Sequence, residues 1–338
     1  MNWTETAEVL LRAHRTDLGQ RPSELLEVKV ANQRPIGDGE VLVENIFQQI
    51  AAVNADLMFE NPGLPLPAFD VGVPLYGPAI GRVVESRSDR PVGTIVQHNQ
   101  GWRNLTAIAS NAVFPVPEGV FPGPEYMLNQ GVTSFHGMVD VAGVGAGDVV
   151  LVSGAAGGVG SIAGQIARAQ GAALVIGIAG GPGKCAYLTE QLGFDAAIDY
   201  KNEDLDARLR ALAPEGITVF FDTIGGTQFE TAVRHASFGA RFALCGALAG
   251  QIGGGHGGHP RLDIMTAIVK EIQIRPFTTM HTPDQIQAWI SHYIPWFSQG
   301  VVTFPHTMLE GPLDRAITAL DELLAGDHRG NLIVKIAS

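Results

Sequence analysis

The chain has 338 residues, 46 % of them hydrophobic, with 42 Gly and 20 Pro, which suits a two-domain α/β protein with many turns. A formal net charge of −12 with only 22 Lys plus Arg argues against nucleic acid or an anionic membrane as the main partner. Two scattered cysteines, Cys185 and Cys245, point to a reducing compartment, the polar acidic start is no secretory signal, and no apolar run approaches the ~20 residues of a membrane helix, so a soluble cytoplasmic protein is expected.

Residues 25–120 read as β-rich. Leu26-Glu27-Val28-Lys29-Val30 alternates apolar and polar, and Val41-Leu42-Val43-Glu44-Asn45 follows the turn Gly37-Asp38-Gly39. A Pro-rich loop at 62–67 and short strands near 79–84 and 94–97 continue the pattern of a small barrel-like β domain. From about residue 122 strands and helices alternate. Strands are expected at 149–153, 173–178, 196–199, 217–222, 240–245 and 271–277, with helices at 159–170, 183–192, 203–212, 227–236 and 262–269. Buried strands alternating with helices predict a parallel, doubly wound six-stranded sheet. An amphipathic helix at 283–299, a helix at 312–324 and a last strand at 332–336 close the chain; that strand is expected to rejoin the N-terminal β domain.

The most informative stretch is Val149-Val-Leu-Val-Ser-Gly-Ala-Ala-Gly-Gly-Val-Gly160. A short strand without polar residues is buried on both faces. Gly154, Gly157 and Gly160 then permit a tight turn, close approach of a diphosphate to the main chain, and close helix–sheet packing. The helix that begins near Val159 points its unpaired N–H groups at that diphosphate. The strand–turn–helix context turns a weak glycine motif into a prediction of dinucleotide binding.

The end of the second strand selects the cofactor. An acid there would bind a ribose 2′-hydroxyl and repel a 2′-phosphate. The strand ends Ile178-Ala179-Gly180-Gly181 without a carboxylate, Lys184 follows, and Tyr200-Lys201 follow the third strand. A cation and a phenol suit a phosphate dianion, so NADP(H) is expected over NAD(H). Asp222, ending the fourth strand, is either a catalytic acid or the residue that orders the Gly225-Gly226 turn, and the turn is the preferred reading. Cys245 reads as a buried apolar residue beside the nicotinamide, not as a nucleophile.

Several segments carry a family resemblance: Gly154-Ala-Ala-Gly-Gly-Val-Gly-Ser161, Leu192-Gly-Phe-Asp-Ala-Ala-Ile-Asp-Tyr-Lys201, Phe221-Asp-Thr-Ile-Gly-Gly226, Leu244-Cys-Gly-Ala-Leu248 and Gly330-Asn-Leu-Ile-Val-Lys335. With them the chain resembles the zinc-free branch of the medium-chain dehydrogenase/reductase superfamily, which holds prostaglandin and leukotriene reductases, alkenal double-bond reductases and quinone oxidoreductases. The resemblance implies a Rossmann NADP(H)-binding domain at 122–302. It implies a discontinuous β-rich, GroES-like partial-barrel catalytic domain at 1–121 and 303–338. It places Ala156, Gly157, Gly158, Val159 and Gly160 at the diphosphate, Lys184 and Tyr200 at the 2′-phosphate, and Thr133 near the nicotinamide. Cys245, Gly246, Ala247 and Leu248 run beside the nicotinamide ribose, and Phe277, Thr278 and Thr279 flank the nicotinamide. Thr223 and Asn331 join the cofactor-binding residues. A homodimer paired along the sixth strand also follows.

The substrate half departs from the family. Asn54-Ala-Asp-Leu-Met58 stands for Asp-Pro-Tyr-Met-Arg, Met280 for a tyrosine, and His328 and Asn331 for an Asn and a Lys. Where zinc enzymes of the superfamily carry Gly-His-Glu, this chain has Tyr76-Gly77-Pro78, and no Cys precedes Cys185, so no catalytic zinc is expected. His98 stands alone and reads as a satisfied or exposed residue. His256 and His259 lie in a glycine-rich segment at 249–260 that reads as a mobile lid, not a metal site. Without a Lewis acid, reduction of a C=C bond conjugated to a carbonyl is the fitting chemistry, because the enolate needs only hydrogen-bond donors. The ribose 2′-hydroxyl of the cofactor, Tyr76 and Asn54 are the donor candidates; packing for Tyr76 and turn-capping for Asn54 are the equal alternatives. The small-molecule substrate is an activated alkene, with quinone reduction or a non-catalytic NADPH-binding redox sensor as rivals.

Overall fold

A computed structural model describes residues 4–252 and 259–336. Two units emerge, Met1–Asn129 with His306–Ser338, and Gln130–Pro305. The strands β1 (Thr4–Leu11), β2 (Leu26–Gln33), β3 (Glu40–Ile50), β4 (Ala79–Ser86), β5 (Ile95–His98), β6 (Leu105–Ala109) and β7 (Phe114–Pro115) precede the second unit. Within it run β8 (Val149–Val152), β9 (Leu174–Ala179), β10 (Ala196–Asp199), β11 (Ile217–Asp222), β12 (Ala236–Leu244) and β13 (Gln273–Pro276). After it come β14 (His306–Gly311) and β15 (Asn331–Ile336).

In the first unit β1 and β2 form an antiparallel pair, Thr4 opposite Gln33 and Leu11 opposite Leu26. A larger sheet has the order β14-β15-β3-β4-β5-β7, with β6 also on β3. The last strand does return to the N-terminal half, with Leu332 opposite Ile50 in antiparallel register. Paired by β15, β4 and β6, β3 is central, and Val41, Val43, Phe47 and Ile50 are buried along it. The helix Arg315–Ala325 adds Ala316, Ile317 and Leu320 to a core with Val9, Leu11, Leu75 and Val334. Each Val, Leu or Ile side chain among them contributes about 1.5–3 kcal/mol by leaving water.

The second unit has one fully parallel sheet in the order β10-β9-β8-β11-β12-β13. Counted within the unit this is 3-2-1-4-5-6, the doubly wound dinucleotide order, with the direction of winding reversed between β8 and β11. The buried runs Val150-Leu151-Val152 and Val219-Phe220-Phe221 are what a strand covered on both faces requires. β13 is the edge.

Three expectations need correction. β1 was not foreseen, because Thr4-Glu5-Thr6-Ala7-Glu8 hides its pattern until Val9-Leu10-Leu11. The expected boundaries at 121/122 and 302/303 move to 129/130 and 305/306. The cause is residues 124–128: Gln49 donates to the Leu128 carbonyl at 2.8 Å, and Leu128 is buried in the first unit. Finally, β12 begins at Ala236, directly after the helix Gly226–Arg234 and its cap His235, rather than at 240. Among the described residues no helix is long and apolar enough to cross a membrane.

Candidate active site

The glycine turn has the shape its spacing demands. Gly154 has φ +55°, and a Cβ there would sit 2.5 Å from Thr223 Oγ1. A Cβ on Gly160 would meet the Gly154 carbonyl oxygen at 2.5 Å. The two glycines therefore let turn and helix start touch. Gly157 N–H donates to the Gly154 carbonyl at 2.9 Å, closing the turn. The helix Gly160–Ala169 begins at Val159, and no side chain caps it. Of its first-turn N–H groups, Ser161 donates to the Gly157 carbonyl at 3.0 Å and Ile162 to the Val159 carbonyl at 3.2 Å, so a diphosphate here would be met at the helix start around Val159 and Gly160.

At the end of β9, Gly180 and Gly181 lead into the helix Pro182–Gln191, whose third residue is Lys184. A Cβ on Gly180 would lie 3.0 Å from Lys201 Cε and 3.0 Å from Tyr200 Cε1, so both side chains lean over the glycines. Tyr200 is 48 % exposed, open to a ligand. The carboxylate at the end of β10, Asp199, accepts from the N–H groups of Gly181 (2.8 Å) and Lys201 (3.1 Å) and from Asn202 Nδ2 (2.7 Å). Asn202 and the backbone donors hold it below the usual carboxylate range. Lys201 is the extra cation that the structure brings to this corner.

Asp222 does the work of a turn. Its Oδ1 accepts from Ser153 Oγ (2.6 Å), Ile224 N (2.9 Å) and Gly225 N (2.9 Å). Burial pushes its pKa up, opposed by these donors. Thr223 is fixed by Ser153, donating N–H to Oγ at 2.8 Å and Oγ1 to the carbonyl at 3.2 Å. The segment after β12 folds back onto it: Cys245 N–H donates to the Asp222 carbonyl (2.8 Å) and Leu248 N–H to the Thr223 carbonyl (3.1 Å). Gly246 and Ala247 stand exposed between them. Burial, with Asp222 adding to it, pushes the Cys245 thiol up to about 12, so it is no nucleophile.

Beyond β13, Phe277 donates N–H to the Leu244 carbonyl at 3.1 Å, and Thr278, Thr279 and Met280 are exposed. The nearby segment was not read as structured: a helix at Gly131–Phe135 runs into a π-turn at His136–Val141. π-turns are frequent at functional sites. They bring Thr133 Oγ1 to 2.8 Å from His281 Nε2. His281 was missed by sequence reasoning, since nothing local marks it and its partner lies 148 residues away.

Tyr76, Asn54 and Asn331 belong to the first unit. The Tyr76 hydroxyl donates to the Pro67 carbonyl at 2.6 Å, and its ring packs edge-on to Phe69 at 5.0 Å. Asn54 Oδ1 accepts from Ala51 N at 2.9 Å, capping its turn. Both alternatives raised from the sequence are thus realised geometrically, and the Asn54 amide nitrogen takes no part in that bond. Asn331 opens β15, buried, with Oδ1 3.5 Å from Gln49 Nε2. His98 is a satisfied core residue: Nε2 meets Asn45 Oδ1 at 2.9 Å and Nδ1 accepts from Gln100 N at 3.0 Å. His256 and half of the segment expected to form a lid, residues 253–258, lie outside the described residues.

The family model described as "Zinc-binding dehydrogenase" matches residues 158–297, and "N-terminal domain of oxidoreductase" matches 9–116. Prostaglandin reductase 1 of Bos taurus is 31 % identical over 327 residues, covering 91 % of this chain and 93 % of its own. The chain belongs to the zinc-free branch of the medium-chain dehydrogenase/reductase superfamily. A second relative of this reductase branch, the 2-alkenal reductase (NADP(+)-dependent) of Nicotiana tabacum, is 27 % identical, with 93 % of this chain and 92 % of its own covered. The fold agrees with that of CurA from Vibrio vulnificus solved with NADPH, at a TM-score of 0.90 and 23 % identity over 98 % of this chain and 99 % of that one. Among the described residues no group of three His, Cys, Asp or Glu is arranged to hold a metal ion.

One departure from this reductase family has a measurable consequence. Asp56, in the early segment whose sequence departs from the motif the resemblance leads one to expect, is buried. Burial pushes its pKa up to about 6, with the nearby Arg15 charge pulling the other way. A carboxyl whose folded pKa is raised favours the folded state most below its unfolded pKa, and that contribution is lost as pH rises through about 6. Stability should therefore fall between pH ~4 and ~7 by on the order of 2–3 kcal/mol from this group. Asp56→Asn should remove that slope in urea melts taken across the range. An unchanged slope in the variant would assign the pH dependence elsewhere.

Proposed function

We propose that the chain is a zinc-independent reductase that passes hydride from NADPH to the C=C bond of an α,β-unsaturated carbonyl compound. The observation that carries this is the 3-2-1-4-5-6 sheet, whose glycine turn leaves the helix start uncapped and whose second strand ends in glycines under Tyr200 and Lys201. The relatives point the same way, since their printed activities include NADP-dependent alkenal reduction. The cofactor is NADP(H). When bound it supplies the hydride. The chain's own residues hold the cofactor and orient it. An enolate then needs a donor at its oxygen, a contribution of up to ~10²–10³ in rate. Of the chain's two candidates, Asn54 is better placed by its bonding, because the Tyr76 hydroxyl already donates to Pro67. We place the protein in the cytoplasm, as its two free thiols suggest.

The test is NADPH oxidation followed over enones, enals, nitroalkenes and quinones, with and without a chelator. Enone or enal turnover unaffected by chelation supports the reading. Turnover confined to quinones would assign the chain to quinone reduction, and tight NADPH binding with no turnover would make it a sensor.

A homodimer is part of the same proposal. β13 is one edge of the sheet, and in the helix Ile264–Val269 that precedes it in the chain Ile264, Met265, Ile268 and Val269 are 63 %, 66 %, 61 % and 68 % exposed. Four large apolar side chains and an open edge make a surface that a second copy would cover. Pro276 has no N–H, so strand pairing across the axis would be interrupted there. Light scattering at micromolar concentration should give twice the chain mass, and Ile268→Glu with Met265→Glu should halve it. A monomeric parent would overturn the assembly.

A further inference from the structure

We propose that His281 and Thr133 form the hydrogen-bonding wall at the nicotinamide end of the cofactor site, His281 being the positioning residue that keeps the Thr133 hydroxyl a donor. This rests on the NADP(H) reading above. The location follows from the sheet. With the diphosphate at the turn after β8 and the phosphate-bearing ribose beyond β9, the other half of a dinucleotide crosses the carboxyl ends of β11, β12 and β13. Phe277, just past β13, packs on Phe221 of β11 (6.2 Å between centroids) and on His136 (5.4 Å). His281 follows four residues later, 5.9 Å from the His136 ring and 2.8 Å from Thr133 Oγ1 through Nε2.

The direction of that hydrogen bond follows from the other ring nitrogen. Among the described residues, His281 Nδ1 is buried and has no hydrogen-bond partner. An unpaired buried N–H is rarer and costlier than an unpaired lone pair. The neutral ring therefore carries its proton on Nε2 and donates to Thr133 Oγ1. Thr133 is then left with its own O–H to donate, and the nicotinamide carboxamide oxygen is an acceptor of the right kind. From the 131–141 segment His281 faces His136, whose Nδ1 pairs with Asp140 at 2.8 Å; from the helix Pro283–Ser298 it faces the uncharged Gln285. Burial, and then His136, depress its pKa, with Gln285 opposing. The lowered pKa favours the neutral ring.

A charge there would meet a nicotinamide that is cationic only when oxidised. Acid should therefore weaken NADP⁺ more than NADPH. The 2′-phosphate and its lysines are common to both forms, so the ratio of their dissociation constants isolates the nicotinamide end. The experiment measures NADPH and NADP⁺ binding, without substrate, from pH 8 to pH 5. In the parent the NADP⁺/NADPH ratio of Kd should rise about three- to tenfold over that range. His281→Gln keeps a donor and should hold NADPH affinity within about twofold, with the ratio flat. His281→Leu should weaken NADPH about fivefold at pH 8, and the same change added to Thr133→Val should cost nothing further. A flat ratio in the parent, or His281→Leu binding NADPH as the parent does, overturns the proposal. Should the leucine variant fail to melt cooperatively, the parent and His281→Gln ratios decide alone. Absence of enone reduction with this pattern intact would fail the proposed activity and leave this wall standing; absence of NADPH binding would fail both.

Discussion

Asp222→Ala is expected to lower stability by about 3–5 kcal/mol, the largest loss for any single site residue. Three donors share one carboxylate oxygen: Ser153 Oγ, Ile224 N and Gly225 N. Asp222 is 2 % exposed, so water cannot replace the lost acceptor. Each buried donor left unpaired costs about 1–3 kcal/mol. The damage should spread, because Ser153 also accepts the Thr223 N–H at 2.8 Å and the Cys245–Leu248 segment hangs on the carbonyls of Asp222 and Thr223. NADPH affinity should fall with it. Asp222→Asn separates structure from chemistry. Its remaining Oδ1 accepts the same three donors, so the stability loss should stay below about 1 kcal/mol and turnover should survive. An asparagine variant that folds and binds NADPH but does not turn over would make Asp222 a catalytic acid after all.

How far the sequence carried this reading depends on how local each signal is. The turn after β8 was legible because its glycine spacing and the apolar run before it lie within twelve consecutive residues. The turn-ordering role of Asp222 was legible for the same reason: its two backbone partners are two and three residues away. β1 was not, since Thr4-Glu5-Thr6-Ala7-Glu8 shows no apolar alternation and the pairing to β2 comes from register. The unit boundary was not, because Leu128 is held by Gln49, 79 residues earlier. Tyr76 illustrates the limit for catalytic groups. Position suggested a donor, yet only the fold shows its proton given to Pro67. Thr133 was placed by resemblance, whereas the histidine that orients it has no sequence mark at all.

Cofactor choice is the second large effect, and it should be read at one residue. Lys184→Ala is expected to weaken NADPH about 10- to 100-fold and to leave NADH within about twofold, the loss of one charge-assisted contact being about 1.5–3 kcal/mol. The corner at the end of β9 explains the asymmetry. Gly180 and Gly181 provide no carboxylate to bind a ribose 2′-hydroxyl, and the nearest acid, Asp199, has its oxygens engaged by Gly181, Lys201 and Asn202. That acid braces the loop; it does not oppose a phosphate. Above the glycines lean Tyr200 and Lys201. Tyr200→Phe removes a neutral donor and should cost NADPH only a few-fold. Lys201→Ala tests whether the second cation shares the dianion: if it does, the double variant with Lys184→Ala should lose more than the product of the singles, because each lysine alone then carries more of the load. Raising salt should erode NADPH binding in the parent and far less in the double variant, since the attraction that salt screens has been removed. The measurement is cofactor fluorescence titration for both dinucleotides at fixed ionic strength. Equal affinities for NADH and NADPH in the parent, or an unaltered NADPH affinity in Lys184→Ala, would show that this corner does not read the 2′-phosphate.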